Sequence, residues 1–268
     1  MDNNLYDQAS EVFQAIKETS TIALFLDFDG TLIPFANSPA DVHIPQKVRT
    51  LLKKLAEHPQ CRLAIITGRT LEEIKQLVAI KGLTYAAVHG WEIEFSSGEL
   101  FQWNGYNQTK ETMDAIKAKA ENIFAGEQGV ILEDKGVTMA LHYRMVPQEK
   151  SKIIIDDFTR LVDEMNTNSC FQILQGSKVL EVRPRGWDKG KAVNVILESM
   201  ETISGILPIY IGDDTTDEDA FRMLLGKGIT IVVLNGGKRS THATYSLETP
   251  SEVHRFLADV LDNIQMVH

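Results

Sequence analysis

The stretch Phe25-Leu-Asp-Phe-Asp-Gly-Thr31 constrains this chain more than any other. It closes an apolar run, Ile22-Ala-Leu-Phe-Leu26, of the length expected for a strand covered on both faces. The run delivers two aspartates, Asp27 and Asp29, into a Gly-Thr turn. Carboxylates one residue apart at a strand end repel each other unless a cation or a proton sits between them. An Asx-type turn, in which both side chains cap backbone amides, accounts for the same residues without any chemistry. The rest of the chain has to decide between the two.

Hydrophobic spacing supplies the frame. Val48, Leu51, Leu52 and Leu55 mark a helix over 45–58. Residues 61–66 read as a second buried strand ending in Thr67-Gly68-Arg69, and Thr70 with Glu73 predicts a capped helix start. Residues 85–88 form a third strand ending at His89-Gly90, and 92–102 alternate as a short hairpin. Strand and helix in alternation predict a parallel sheet with right-handed crossovers.

From about Asn104 the pattern changes. A helix marked by Met113, Ile116, Ala120 and Ile123 precedes strands at 130–134 and 137–144. A second helix, marked by Ile154, Phe158, Leu161 and Met165, precedes strands at 171–174 and 179–183, joined at Gly176-Ser177. Helix, strand, strand, twice over, predicts an α+β unit with an antiparallel sheet. The first pattern then resumes with a helix over 188–200, a buried strand at 207–211 ending in Gly212-Asp213-Asp214, a helix over 217–225, a strand at 229–234 and a closing helix over 250–264. The expected fold class is α/β. A Rossmann-like core with a parallel sheet, residues 1–105 and 183–268, carries an inserted α+β cap domain at 106–182.

Composition narrows the function. A net charge of −10 leaves no basic excess to neutralise phosphates, so nucleic acid is not an expected partner. No apolar run approaches ~18 residues, which speaks against a membrane span, and the acidic, helix-periodic N-terminus has no signal-peptide pattern. Cys61 and Cys170 lie in apolar, strand-like contexts and are expected as buried free thiols of a reducing compartment. A cytoplasmic protein is expected. A monomer is the working expectation.

In an open parallel sheet the carboxyl ends of the strands share one rim, where ligands bind. Asp27, Asp29, Thr67, Lys189 and the cluster Asp213, Asp214 and Asp217 all fall at strand ends or helix starts of the parallel part. Carboxylates beside glycine turns offer the hard oxygen ligands that Mg²⁺ prefers. A lysine, a Thr hydroxyl and the Gly68 amide offer donors to a phosphoryl group. A carboxylate can also attack phosphorus and split the transfer into two steps. Each residue has a plainer reading as well: Lys189 as a surface lysine, Thr67 as a helix-entry residue, Asp217 as a cap.

Asp27-Phe-Asp29-Gly-Thr31, a Thr after the second strand, a Lys opening a helix and Gly212-Asp-Asp-x-x-Asp217 resemble the four motifs of the haloacid-dehalogenase-like phosphatases. The resemblance implies Asp27 as nucleophile and Mg²⁺ ligand, and Asp29 as acid/base with its carbonyl on the metal. It also implies Thr67 and Lys189 on the phosphoryl oxygens, and Asp213, helped by Asp214 or Asp217, completing the metal site. The inserted sequence is similar to trehalose-6-phosphate phosphatases, at Gly129–Lys135, Ala140–Arg144 and Gly176–Pro184. Val88-His89-Gly90 and Gly212–Phe221 match that family too, and the family's usual Ser is Thr67 here. The resemblance implies sugar contacts from Glu133, Lys135, Arg144, Lys178 and Glu181. Arg69 and His89 lie at the rim, placed for phosphate or sugar, and His89 reads equally as a strand-end hydrogen-bonding residue. Without the family pattern, the cap residues read rather as cross-strand ion pairs on a wet sheet face than as sugar contacts. The function implied is Mg²⁺-dependent hydrolysis of trehalose 6-phosphate. Another sugar phosphate, such as that of sucrose or mannosylglycerate, a phosphomutase, and a non-catalytic sugar-phosphate sensor stand as alternatives.

Overall fold

The computed structural model describes residues 3–35, 42–105, 109–176, 178–237 and 239–265. Helix α1 (Ala9–Glu18) leads into strand β1 (Thr21–Leu26), followed by α2 (Gln46–Glu57), β2 (Cys61–Ile66), α3 (Leu71–Val78) and β3 (Thr84–Ala87). A hairpin of β4 (Glu92–Glu94) and β5 (Leu100–Gln102) comes next. Then follow α4 (Lys110–Phe124), β6 (Ile131–Asp134), β7 (Met139–His142), α5 (Gln148–Met165), β8 (Phe171–Gly176) and β9 (Val179–Pro184). The last part is α6 (Lys189–Glu198), β10 (Ile206–Gly212), α7 (Glu218–Leu224), β11 (Ile229–Val233), β12 (Tyr245–Leu247) and α8 (Pro250–Gln265).

The chain divides into two compact units. One holds Met1–Gln102 and Asp188–His268, the other Trp103–Trp187. The second unit thus begins slightly before, and ends slightly after, the span expected for the insertion.

In the first unit the strand order is β12-β11-β10-β1-β2-β3-β4-β5. The six strands from β12 to β3 pair in parallel, and β4 and β5 add an antiparallel edge. The chain grows outward from β1 through β2 and β3, then returns to the other side of β1 with β10. That reversal makes a topological switch point between β1 and β10, where a crevice opens at the strands' carboxyl ends. All six residues of β1 are buried, as a central strand with both faces covered requires. Ile22, Leu24 and Leu26 join the core shared with α1, α2, α3 and α8. Phe25 points to the other face, where its ring lies 6.5 Å from that of Tyr210, which meets Phe221 of α7 edge-on at 5.7 Å.

Two departures from the sequence reading concern this unit. Val88 does not extend β3. It and His89 adopt left-handed backbone, φ 46° and 59°, in a 3-10 turn. A β-branched residue there is strained, and the turn folds the His89 N–H back onto the Thr67 carbonyl at 2.7 Å. Strand β12 was not expected. Three residues carry too little periodicity to register, and pairing with β11 creates the strand.

The second unit is an antiparallel sheet in the order β6-β7-β9-β8, with α4 and α5 packed on one face. Met139, Leu141, Leu180 and Val182 join Met113, Ile116, Phe158 and Leu161 in its core. The strands alternate, so Glu133, Ala140 and Glu181 form one row on the opposite face. Trp103 and Trp187, where the chain enters and leaves the unit, stack with centroids 5.8 Å apart. The turn residue Ser177 lies outside the described residues. Cys61 is buried as expected, whereas Cys170, just ahead of β8, is only partly covered; both are free thiols.

Candidate active site

Asp27 continues the face of β1 that carries Phe25, and its N–H extends the ladder to the Ile211 carbonyl at 2.9 Å. Lys189 arrives from the first turn of α6, whose N-terminus is capped by Asp188. Its ammonium donates to Asp27 Oδ1 at 2.6 Å and to Asp217 Oδ1 at 2.7 Å. Lys189 is 2% exposed, Asp27 5% and Asp217 0%, so a buried cation is held between two buried carboxylates. Burial alone would lower the Lys189 pKa, but Asp217 and Asp27 outweigh it and keep the ammonium charged.

Asp217 serves four donors. Oδ1 accepts from Lys189 and, at 2.7 Å, from the buried Tyr210 hydroxyl. Oδ2 accepts from the backbone N–H groups of Asp213 and Asp214 at 3.0 and 2.8 Å. This carboxylate shapes the loop after β10. Asp214, expected among the metal ligands, instead turns its side chain onto the Thr215 N–H at 2.7 Å. The orphan amides of the turn that opens α7 claim it as a cap, in a capping box with Asp217.

Asp27, Asp213 and Asp217 can each bring a carboxylate oxygen to within 4.8 Å of the others. Asp213 Oδ1 accepts from Thr31 Oγ1 at 3.3 Å. Burial, then Asp27 and Asp217, push the Asp213 carboxyl up to about 9. Burial also raises Asp27 to about 7, against the pull of Lys189. Three carboxylates with one ammonium among them lack positive charge, and their oxygens are the donor type a hard divalent cation takes. The residues fit Mg²⁺. Gly30 leaves the room this needs: at φ 83° it is in glycine's region, and a Cβ there would lie 2.2 Å from Asp213 Oδ2.

The carboxylate of Asp29 faces elsewhere. It accepts two hydrogen bonds from the Arg69 guanidinium, at 2.6 and 2.7 Å. Arg69 also lies over the Phe28 ring, 5.7 Å from its centroid. Thr67, at the end of β2, is buried, and its hydroxyl accepts from the Arg69 N–H at 3.2 Å. His89 packs its ring against Gly68, whose missing Cβ would sit 2.9 Å from His89 Cε1. His89 therefore supports the Thr67-Gly68 turn.

Within the second unit, Lys135 Nζ lies 3.4 Å from Glu181 and 4.0 Å from Glu133. Thr138 donates to Glu181 Oε1 at 2.8 Å, and the His142 ring lies 2.7 Å from Glu133 Oε2. Burial works against the Glu133 carboxylate, but His142 and Lys135 outweigh it and hold its pKa below the usual value. Arg144 is exposed, just past β7. Lys178 is exposed too, with φ 64° and its ammonium over the Tyr143 ring. The sequence reading passed over Thr138, His142 and Tyr210. Thr138 and His142 stand out as polar groups in apolar strand context, whereas Tyr210 lies in a continuous apolar run that alternation does not mark.

A parallel core with carboxylates gathered at its switch point, interrupted by an α+β unit, is the fold of solved haloacid-dehalogenase-like hydrolases. A solved hydrolase of that kind from Bacteroides thetaiotaomicron matches with a TM-score of 0.63, at 17% identity over 90% of this chain and 99% of the other. The profile of the trehalose-phosphatase family matches residues 25–251, and the chain belongs to that family. It is 34% identical to probable trehalose-phosphate phosphatase D of Arabidopsis thaliana, across 97% of this chain and 73% of that protein. To trehalose-phosphate phosphatase B of the same plant it is 33% identical, across 97% and 70%. The C-terminal domain of the trehalose-6-phosphate phosphatase of C. albicans has the same fold, with a TM-score of 0.82 at 21% identity over 98% of each chain. The chain is a phosphatase, a phosphoric monoester hydrolase. Among the described residues no helix is long and apolar enough to cross a membrane.

Proposed function

We propose that this chain hydrolyses trehalose 6-phosphate to trehalose and phosphate through an aspartyl-phosphate on Asp27. The observation that carries the reading is the buried Asp27–Lys189–Asp217 arrangement beside Asp213, in a chain of the trehalose-phosphatase family. An Asx turn needs no buried lysine from a helix 162 residues away. Mg²⁺, held by Asp27, Asp213 and the Asp29 carbonyl, would keep Asp27 ionised and draw charge from the phosphoryl oxygens.

In the first step Asp27 attacks phosphorus, the bond to the sugar oxygen breaks, and Asp29 gives that oxygen a proton. In the second, Asp29 takes a proton from water, whose oxygen attacks the phosphorus; phosphate leaves and Asp27 is restored. Lys189, Thr67 and the Gly68 amide hold the phosphoryl oxygens. Asp29 must shed the Arg69 fork to exchange protons, and a phosphoryl dianion is a natural competitor for that guanidinium. Residues 106–182 act as the cap that selects the sugar. Glu133, Lys135, Arg144, Lys178 and Glu181 offer the alternating donors and acceptors that sugar hydroxyls require. Free thiols at Cys61 and Cys170 suit a cytoplasmic enzyme.

Phosphate release from a panel of sugar phosphates tests the reading. With Mg²⁺ present, kcat/KM should be highest for trehalose 6-phosphate, and Asp27→Asn should abolish turnover with the circular dichroism unchanged. Faster hydrolysis of sucrose 6-phosphate or glucose 6-phosphate would reassign the substrate, and an active Asp27→Asn would remove the nucleophile.

A further inference from the structure

The segment after β11 is fastened onto the candidate metal loop by two side chains that belong to none of the four motifs. Asn235 sits in left-handed backbone, φ 51°, which Asn tolerates better than most residues. Its N–H donates to the Glu248 carbonyl at 3.0 Å, which ties the turn to the end of β12. The Asn235 amide Nδ2 then reaches two parts of the site at once. It lies 2.9 Å from the Gly30 carbonyl and 3.3 Å from Asp213 Oδ2. One amide thus spans the turn that follows Asp27 and Asp29 and the carboxylate that arrives from β10.

Arg239 holds the same loop from its backbone side. Nη1 donates to the Asp213 carbonyl at 2.8 Å and Nη2 to the Asp214 carbonyl at 3.0 Å. The guanidinium also pairs with Glu218, which opens α7. Glu218 is anchored in turn by the His242 N–H at 2.8 Å and the His242 ring at 3.1 Å. Asp213 is therefore fixed on four sides: Asp217 at its N–H, Arg239 at its carbonyl, and Thr31 and Asn235 at its carboxylate. Carboxylate ligands held this way lose little freedom when a cation arrives, and partners one bond removed from a metal commonly set its affinity.

We propose that Asn235 and Arg239 are positioning residues that preset the Asp213 carboxylate and the Gly30 turn for a divalent cation, and so determine cation affinity rather than sugar recognition. This rests on the reading that Asp27 and Asp213 hold the metal. The planar guanidinium matters because it bridges two carbonyls; a lysine reaches one.

The test is direct metal binding to the full chain, with Mn²⁺ followed by electron paramagnetic resonance and Mg²⁺ by calorimetry. Asn235→Gly keeps the left-handed turn and deletes the amide; Arg239→Lys keeps the charge and deletes the bridge. Each should weaken the Mn²⁺ Kd by about 10-fold or more. The Mg²⁺ concentration for half-maximal activity should rise in step, while KM for trehalose 6-phosphate at saturating Mg²⁺ stays at the wild-type value. Melting without metal serves as the folding control. An unchanged Mn²⁺ Kd in both variants overturns the proposal, as does a fall in metal-free melting temperature with no change in Kd. A wild-type protein that binds neither ion overturns the metal reading beneath it, and the two failures are distinct.

Discussion

Asp217 reads from the sequence as either a helix cap or a helper at the metal site, and its environment shows why no local pattern separates the two. Its four donors come from α6, β10 and the loop between β10 and α7. Only the loop amides are near in sequence. Asp217→Asn replaces a charged acceptor beside a fully buried ammonium, and breaking one side of a buried ion pair costs about 3–5 kcal/mol. Urea unfolding of that variant should show a loss of about 3 kcal/mol, because Asp27 still faces Lys189. An unchanged midpoint would mean that Asp27 alone neutralises the lysine. Asp27, Asp29, Thr67 and Lys189 were legible as candidates because each stands where a strand or helix signal changes. Asn235 and Arg239 were not, since their partners at Gly30, Asp213 and Asp214 become neighbours only through the order β11-β10-β1.

Among the elements, those written locally were legible. The Thr70–Glu73 capping box opens α3 as its spacing predicts, with both reciprocal hydrogen bonds formed. The doubled helix-strand-strand pattern became α4-β6-β7 and α5-β8-β9. The pairing order β6-β7-β9-β8 was not legible, because it depends on which edges meet rather than on any one strand. Helix α6 has a further constraint at its first turn. Gly190 faces α7 so closely that a Cβ would lie 2.5 Å from the Asp219 carbonyl oxygen. Gly190→Ala should force α6 and α7 apart and cost about 1–3 kcal/mol in thermal or urea unfolding. The displacement falls next to Lys189, so kcat should drop along with stability. An alanine variant with wild-type melting would show that the helices slide without penalty.

At the scale of the whole molecule, the unbalanced carboxylates connect stability to pH. Asp27 and Asp213 have folded pKa values raised to about 7 and about 9, so the folded protein binds more protons than the unfolded chain through this range. Their contribution is fully present below the usual carboxylate range and is lost as pH climbs through those values. His254, lowered by burial, acts in the opposite sense only below its usual 6.5. The melting temperature of metal-free protein should therefore fall between pH 6.5 and 9. Added Mg²⁺ should flatten or reverse that slope, since it binds the deprotonated carboxylates. A metal-free protein whose melting temperature is level across this range would contradict the raised values.

The position of β1 between β2 and β10 also sets an order of events during synthesis. β1 is made well before its partner on one side, which is encoded about 180 residues later. At ~5–20 residues per second, the ribosome needs about 10–35 s to supply it. Until then an apolar strand has an open edge, the kind that recruits other chains. The continuous stretch 103–187 has no such wait, because all of its sheet partners lie within it. The insertion can finish folding while the core that encodes the chemistry is still incomplete.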